Sequence, residues 1–113
     1  MTRKKNDYYP DLCRFMSYTH HGNLTSYPPK TTPMFSQASL IALTPKDVVK
    51  YFNFITYGTP EPAINELPKL MRKHTIQYKK KAISSFMPHH GEWNTVTNHG
   101  NPTRDKSVLH VIA

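Results

Sequence analysis

Thr44-Pro45-Lys46-Asp47-Val48-Val49-Lys50-Tyr51-Phe52-Asn53-Phe54-Ile55-Thr56-Tyr57-Gly58 is the stretch that decides the fold class. Thr44 can cap a helix, Pro45 suits the first helical position because its missing N–H does no harm there, and Asp47 faces the positive end of the helix dipole. Val48, Phe52 and Ile55 recur at i, i+4 and i+7 with Tyr51 beside them, so one face is strongly apolar. Gly58 then offers a glycine stop. The spacing predicts a helix over 45–57. Val49 and Phe54 fall off the stripe, so this helix is either buried on more than one side or keeps an apolar surface for a partner.

Outward from that helix, Pro60, Pro62 and Pro68 make residues 58–69 a connector. A second helix is expected over about 70–87, stopped by Pro88. At about 100° per residue its apolar arc holds Ile76, Tyr78, Ala82, Ile83, Phe86 and Met87, and Lys73, Gln77, Lys80, Lys81 and Ser84 line the opposite side. Lys79 points into the middle of the apolar arc. A charge there must reach past its neighbours or weaken the packing, so replacing it with Leu or Tyr is expected to stabilise the fold. After a loop around Trp93, a third helix is expected over 103–113, with Val108, Leu109, Val111 and Ile112 on its apolar side and no stop signal at its end.

Before Leu40 the pattern changes. Prolines at 10, 28, 29 and 33 interrupt any helix, and Tyr8, Tyr9, Phe15, Tyr18, Tyr27 and Phe35 follow no period of 2 or 3.6. Residues 1–39 therefore read as a disordered Pro/Tyr/His-rich basic arm, and residues 40–113 as the helical binding domain. The fold class is mainly α, a small three-helix domain behind that arm. The arm is either a linker or a flexible segment whose aromatics stack on bases.

Composition narrows the function. The 113 residues carry 15 Lys and Arg against 7 Asp and Glu, a formal charge of +8, and the isoelectric point is near 9.7. Such a charge suits polyanions, nucleic acid first. Between 69 and 81 stand Lys69, Arg72, Lys73, Lys79, Lys80 and Lys81 with no acid. Phosphate contact needs cations on one solvated face, which Lys73, Lys80 and Lys81 provide. Arg72 lies near the edge of that face. Arg104 and Lys106, at the start of the third helix, could meet a phosphate together with backbone N–H groups. The same cations could equally form a solvated face that keeps the protein soluble.

Catalysis finds no support. The acids offer no carboxylate pair, four glycines form no phosphate loop, and Cys13 lies in the arm without a positioned base. The seven histidines fall in no H-E-x-x-H or H-x₃₋₅-H pattern, so no metal and no cofactor is expected. A single cysteine excludes an internal disulfide. No secretory leader and no run of about 18 apolar residues occurs, which places the chain inside the cell, away from membranes and, for a DNA binder, in the nucleus.

From Leu40 onward the wording is similar to a known family. The phrases Leu43 to Phe54, Tyr57-Gly58-Thr59-Pro60, Lys80-Lys81-Ala82-Ile83-Ser84, Phe86-Met87-Pro88, Trp93-Asn94 and Gly100-Asn101-Pro102-Thr103-Arg104 carry the likeness. They resemble the N-terminal, core-binding-like region of the tyrosine recombinases of Crypton-type mobile elements in unicellular eukaryotes. The resemblance implies a small all-helical, SAM-like domain that grips DNA while a separate downstream domain exchanges strands. Lys79 stands where the family has an aromatic residue and Asp105 where it has serine. The recombinase His-x-x-Arg pattern is missing, and no tyrosine follows Tyr78. The expectation is a truncated, non-catalytic DNA-binding module. A protein-interaction module using Val49, Phe54, Tyr57 and Trp93, or an inert gene remnant, are the alternatives.

Overall fold

The computed structural model describes residues 5–28, 35–67, 70–89 and 91–112. Its described residues form helices α1 (Lys5–His21), α2 (Gln37–Ile41), α3 (Pro45–Tyr57), α4 (Lys73–Ser84) and α5 (Lys106–Ile112), with a 3₁₀ turn at Pro102–Arg104. The fold is mainly α, as the sequence indicates.

Helix α3 has the bounds read from the sequence, and its start is the reason. The Thr44 hydroxyl accepts the Asp47 N–H at 3.3 Å while the Asp47 carboxylate accepts the Thr44 N–H at 3.0 Å, a reciprocal cap. Gly58 closes the helix with φ +81°, its N–H bonded to Phe54 C=O. Val48, Tyr51, Phe52 and Ile55 are buried. Val49 and Phe54 also pack against the core, so α3 is covered on more than one side.

The largest difference lies before Leu40. Residues 5–21 are one helix, and Leu12, Cys13, Phe15 and Met16 are buried within the core. The spacing Tyr8, Leu12, Phe15, Met16 is i, i+4, i+7, i+8, a helical stripe that becomes visible once aliphatic and aromatic residues are read together. Pro10 removes one intrahelical bond close to the N-terminal end, where few turns precede it, and α1 continues through it. Burying Phe15 and Met16 contributes about 2 kcal/mol each, enough to offset that loss. The arm aromatics are used in packing. Phe15 meets Tyr51 edge-on at 5.3 Å, Tyr18 stacks on Phe54 at 4.6 Å, and Tyr8 meets Tyr78 at 5.7 Å. Tyr27 and Phe35, beyond α1, pack against each other at 5.3 Å. The reading of 1–39 as a disordered arm is therefore corrected for its described residues, and residues 1–4 and 29–34 lie outside them.

Helix α1 packs mainly on α4 and also on α3, and α3 in turn holds α5 and the 3₁₀ turn. Between α1 and α4 sits an ion pair. Lys79 Nζ lies 2.7 Å from Asp11 Oδ1, with both side chains largely buried, and Arg14 approaches the same carboxylate oxygen at 3.3 Å from a more exposed position. Lys79 does point inward, as the helical register requires, but it meets a carboxylate there. The expectation that Leu or Tyr at 79 would stabilise the fold is overturned for that reason.

Helix α4 is shorter than 70–87. Leu70 N–H is tied to Thr56 C=O at 3.0 Å and Arg72 is extended, which delays the start. Beyond Ser84, Phe86 and Met87 bond back to Ile83 and Ser84 in tighter turns. The third expected helix is divided. Asp105 is extended between the 3₁₀ turn and α5, and its carboxylate accepts Ser107 N–H at 3.0 Å as the cap of α5. Val108 is buried and Leu109 exposed.

Two outcomes follow from this packing. Lys79→Leu leaves the Asp11 carboxylate buried with only Arg14 beside it, and destabilises by about 3 kcal/mol in a denaturant titration. Asp11→Leu/Lys79→Leu, which removes both charges, recovers most of that loss. An unchanged midpoint for Lys79→Leu would show the pair to be slack.

Alkaline pH probes the same region. Burial pushes the Tyr51 phenol up, helped by the Asp11 charge, and burial pushes the Cys13 thiol up. The folded chain thus holds these protons more tightly than the unfolded chain. Their contribution is intact below the ordinary thiol and phenol values of 9.0 and 10.0 and is lost progressively as pH rises from those values through the raised values of the folded chain. Thermal melts should show a melting temperature that falls above about pH 9, and tyrosinate absorbance should show Tyr51 ionising only as the chain unfolds.

Candidate nucleic-acid interface

Gln77, Lys80, Lys81 and Ser84 lie at i, i+3, i+4 and i+7 on α4, so one face of the helix carries all four. Opposite stand Asn101 and Arg104 of the 3₁₀ turn, and together with Ser85 these residues enclose an open cleft of about 640 Å³. Its lining among the described residues has cations and neutral polar groups and no carboxylate.

Asn101 holds the two walls together. It is 1 % exposed, and its backbone N–H donates to Gly91 C=O at 3.0 Å. Its side-chain oxygen accepts Thr103 N–H at 3.0 Å and Thr103 O–H at 2.7 Å. A backbone N–H can only donate, so that atom of the amide must be the oxygen. The Asn101 NH₂ is thereby aimed at α4, where it donates to Ser84 Oγ at 2.8 Å. Asn101 also caps the turn that begins at Pro102 and carries Arg104. Arg104 faces the cleft because Asn101 is fixed, and Asn101 is fixed by α4.

Gly100 supports this arrangement. Its φ is +122°, and a Cβ there would sit 2.3 Å from Glu92 C=O. The chain turns tightly against the 91–93 segment at a place where any side chain collides.

Of the cations expected from the sequence, Lys80, Lys81 and Arg104 meet at this cleft. Arg72 and Lys73 are exposed at the start of α4, and Lys73 is two turns, roughly 10 Å, from Lys80 on the same face. Lys106 is exposed and outside the cleft lining. At the start of α5 the Ser107 N–H and hydroxyl are engaged by the Asp105 carboxylate, which would repel a phosphate at that point. Lys69 and His90 lie outside the described residues. Gln77 and Ser84 are visible in the sequence as part of the polar side of α4. Asn101 is the residue that sequence reading passes over, although Asn-Pro-Thr has the pattern of a capped, proline-started turn.

The apolar residues expected to face a partner are all partly covered. Phe54 is covered by Tyr18, Val49 packs on the core, and Tyr57 and Trp93 are half-buried. Among the described residues the exposed large apolar ones are Ile41, Ile64, Leu67, Leu70, Val96 and Leu109. His89 and His99 bring their rings within 4.0 Å, but no group of three metal-binding side chains occurs among the described residues. Among the described residues no helix is long and apolar enough to cross a membrane.

Asn101→Ala removes the cap, leaves Ser84 without its donor and empties a buried position, and should cost about 2 kcal/mol in chemical denaturation. Gly100→Ala should cost at least as much, because backbone must shift. Wild-type stability in both variants would mean the two walls are held by something other than this loop.

Comparison with models of known protein families, with curated proteins and with solved structures finds no match.

Proposed function

We propose that the chain is a non-catalytic nucleic-acid-binding module that grips the phosphate backbone with little regard for sequence. The observation that supports this reading is the convergence of Lys80, Lys81 and Arg104, from two different elements, on a cleft whose described lining holds no acid. Solubility alone asks only that cations face water. It does not ask that an arginine be fixed by a buried asparagine with five hydrogen bonds opposite two lysines. Lys73 extends the same face along α4, and Arg72 adds charge at its start. The likeness to the DNA-gripping region of Crypton-type recombinases points to DNA as the polyanion, and a nuclear location would follow from that.

Binding of this kind is weak and salt-sensitive, with Kd about 10⁻⁴ to 10⁻⁶ M at physiological salt. Lys80→Gln/Lys81→Gln/Arg104→Gln should keep the unfolding curve and lower the slope of log affinity against log salt by roughly 0.9 per lost phosphate contact on duplex DNA. Fluorescence anisotropy over a salt series measures both. A triple variant that binds duplex as well as the parent with the same slope would reduce the cleft to a solubility surface and reject the reading.

A further inference from the structure

The loop that joins α3 to α4 is tied down at both ends and apolar in between. Asn53 donates to Pro60 C=O at 3.2 Å, and Leu70 N–H donates to Thr56 C=O at 3.0 Å. Asn53 and Thr56 are one turn apart on α3, so the loop leaves the helix end and returns to it. Between these anchors, Glu66 N–H bonds to Ala63 C=O at 3.0 Å and the Glu66 carboxylate accepts the Ala63 N–H at 3.1 Å. Those two bonds close a tight turn around Ile64 and Asn65.

The loop displays aliphatic side chains to solvent. Ile64, Leu67 and Leu70 are three of the six large apolar residues exposed among the described ones, with Ile64 at 108 % and Leu67 at 76 %. One exposed leucine is ordinary, but three within seven residues of a single anchored loop gain from being covered. The charges beside them identify the cover. Glu61, Ile64, Leu67, Leu70 and Lys73 fall at every third position, and all five are exposed. The order is acid, aliphatic, aliphatic, aliphatic, base, so the series is complementary to itself when reversed. Laid antiparallel about a two-fold axis at Leu67, two copies set Leu67 against Leu67, Ile64 against Leu70 and Glu61 against Lys73, each unlike pair occurring twice. An anionic lipid surface fits less well, because it would repel Glu61.

We infer that Glu61, Ile64, Leu67, Leu70 and Lys73 form a self-association surface through which two copies of this chain pair antiparallel. The pairing goes beyond the phosphate-gripping function and does not depend on it. Lys73 is the one residue common to both, and the cleft cations Lys80, Lys81 and Arg104 take no part. The three side chains cover on the order of 300 Å² per copy, well under the roughly 800 Å² per partner of a standard interface, so the pair is weak and reversible. The ion pairs at its two ends are open to water and fix orientation more than affinity.

Sedimentation equilibrium of the full chain without nucleic acid, from about 5 to about 500 µM at physiological salt, spans the range expected of a small interface. The mean mass should rise from 13.1 kDa towards twice that value. Leu67→Lys, at an exposed position, should keep the unfolding curve and hold the mass at 13.1 kDa, because it sets two ammonium groups face to face. Glu61→Lys and Lys73→Glu should each weaken pairing by about tenfold, since each creates two like-charge contacts. Glu61→Lys/Lys73→Glu, which exchanges the charges, should restore it to within about twofold of the parent. A constant 13.1 kDa over the whole range overturns the pairing. So does a pair that survives Leu67→Lys, or an exchanged variant that pairs no better than either single one. A chain that stays monomeric and sediments instead with phosphatidylserine vesicles, in a way that Leu67→Lys abolishes, would make the loop a membrane contact and overturn the pairing as well.

Discussion

Asp11 and Lys79 stand 68 residues apart in the chain and 2.7 Å apart in space, and the way α1 lies on α4 depends on that pair. Two charges taken from water into a helix interface are costly unless each meets the other with good geometry. Here Lys79 meets the carboxylate end to end and Arg14 shares the same oxygen from the solvent side. The pair sits where α1 lies on α4, flanked by the Tyr8–Tyr78 contact and by Tyr51, whose phenol is held neutral beside the Asp11 charge. Neither helix can slide or turn without separating the charges inside low-dielectric surroundings.

The same pair explains why α3 was legible in the sequence and α1 was not. Everything that starts and stops α3 lies within fifteen residues of chain: Thr44, Pro45 and Asp47 at one end, Gly58 at the other, and an apolar stripe between. Local signals are readable one residue at a time. Helix α1 carries a proline inside and an aspartate in its buried face, and its local signal is the stop at Gly22, whose φ is +76° and whose N–H bonds to Tyr18 C=O. Its acid makes sense only beside a lysine from α4, and that lysine looked misplaced only because its acid had been assigned to an arm. One unrecognised tertiary contact produced both misreadings.

The cleft divides in the same way. Helical spacing alone puts Lys80, Lys81, Gln77 and Ser84 on the face opposite the core, so half of the site was visible from period 3.6. Arg104 could be named as a cation but not placed, because its position depends on Asn101 reaching across to Ser84 and on Gly100 pressed against Glu92. Lys106 groups with it only if one continuous helix runs from 103. Asp105 divides that helix and caps the second part, which separates the two cations chemically although they are neighbours in the chain.

The three consecutive lysines at 79–81 show how far the buried pair governs the surface. Each residue turns the helix by about 100°, so only one of the three can face the core at a time. A rotation of α4 by one residue would turn Lys80 towards α1 with its charge offset from Asp11, and would carry Ser84 away from Asn101. Apolar packing alone discriminates poorly between such registers, because Ile76, Ala82 and Ile83 tolerate modest repacking. A buried carboxylate that accepts one lysine and no other discriminates strongly. The ion pair thus selects the rotation at which Lys80 and Lys81 look outward, Ser84 meets Asn101, and Arg104 closes the cleft. An interior charge that a pattern reading marks as a defect is what aims the exterior ones.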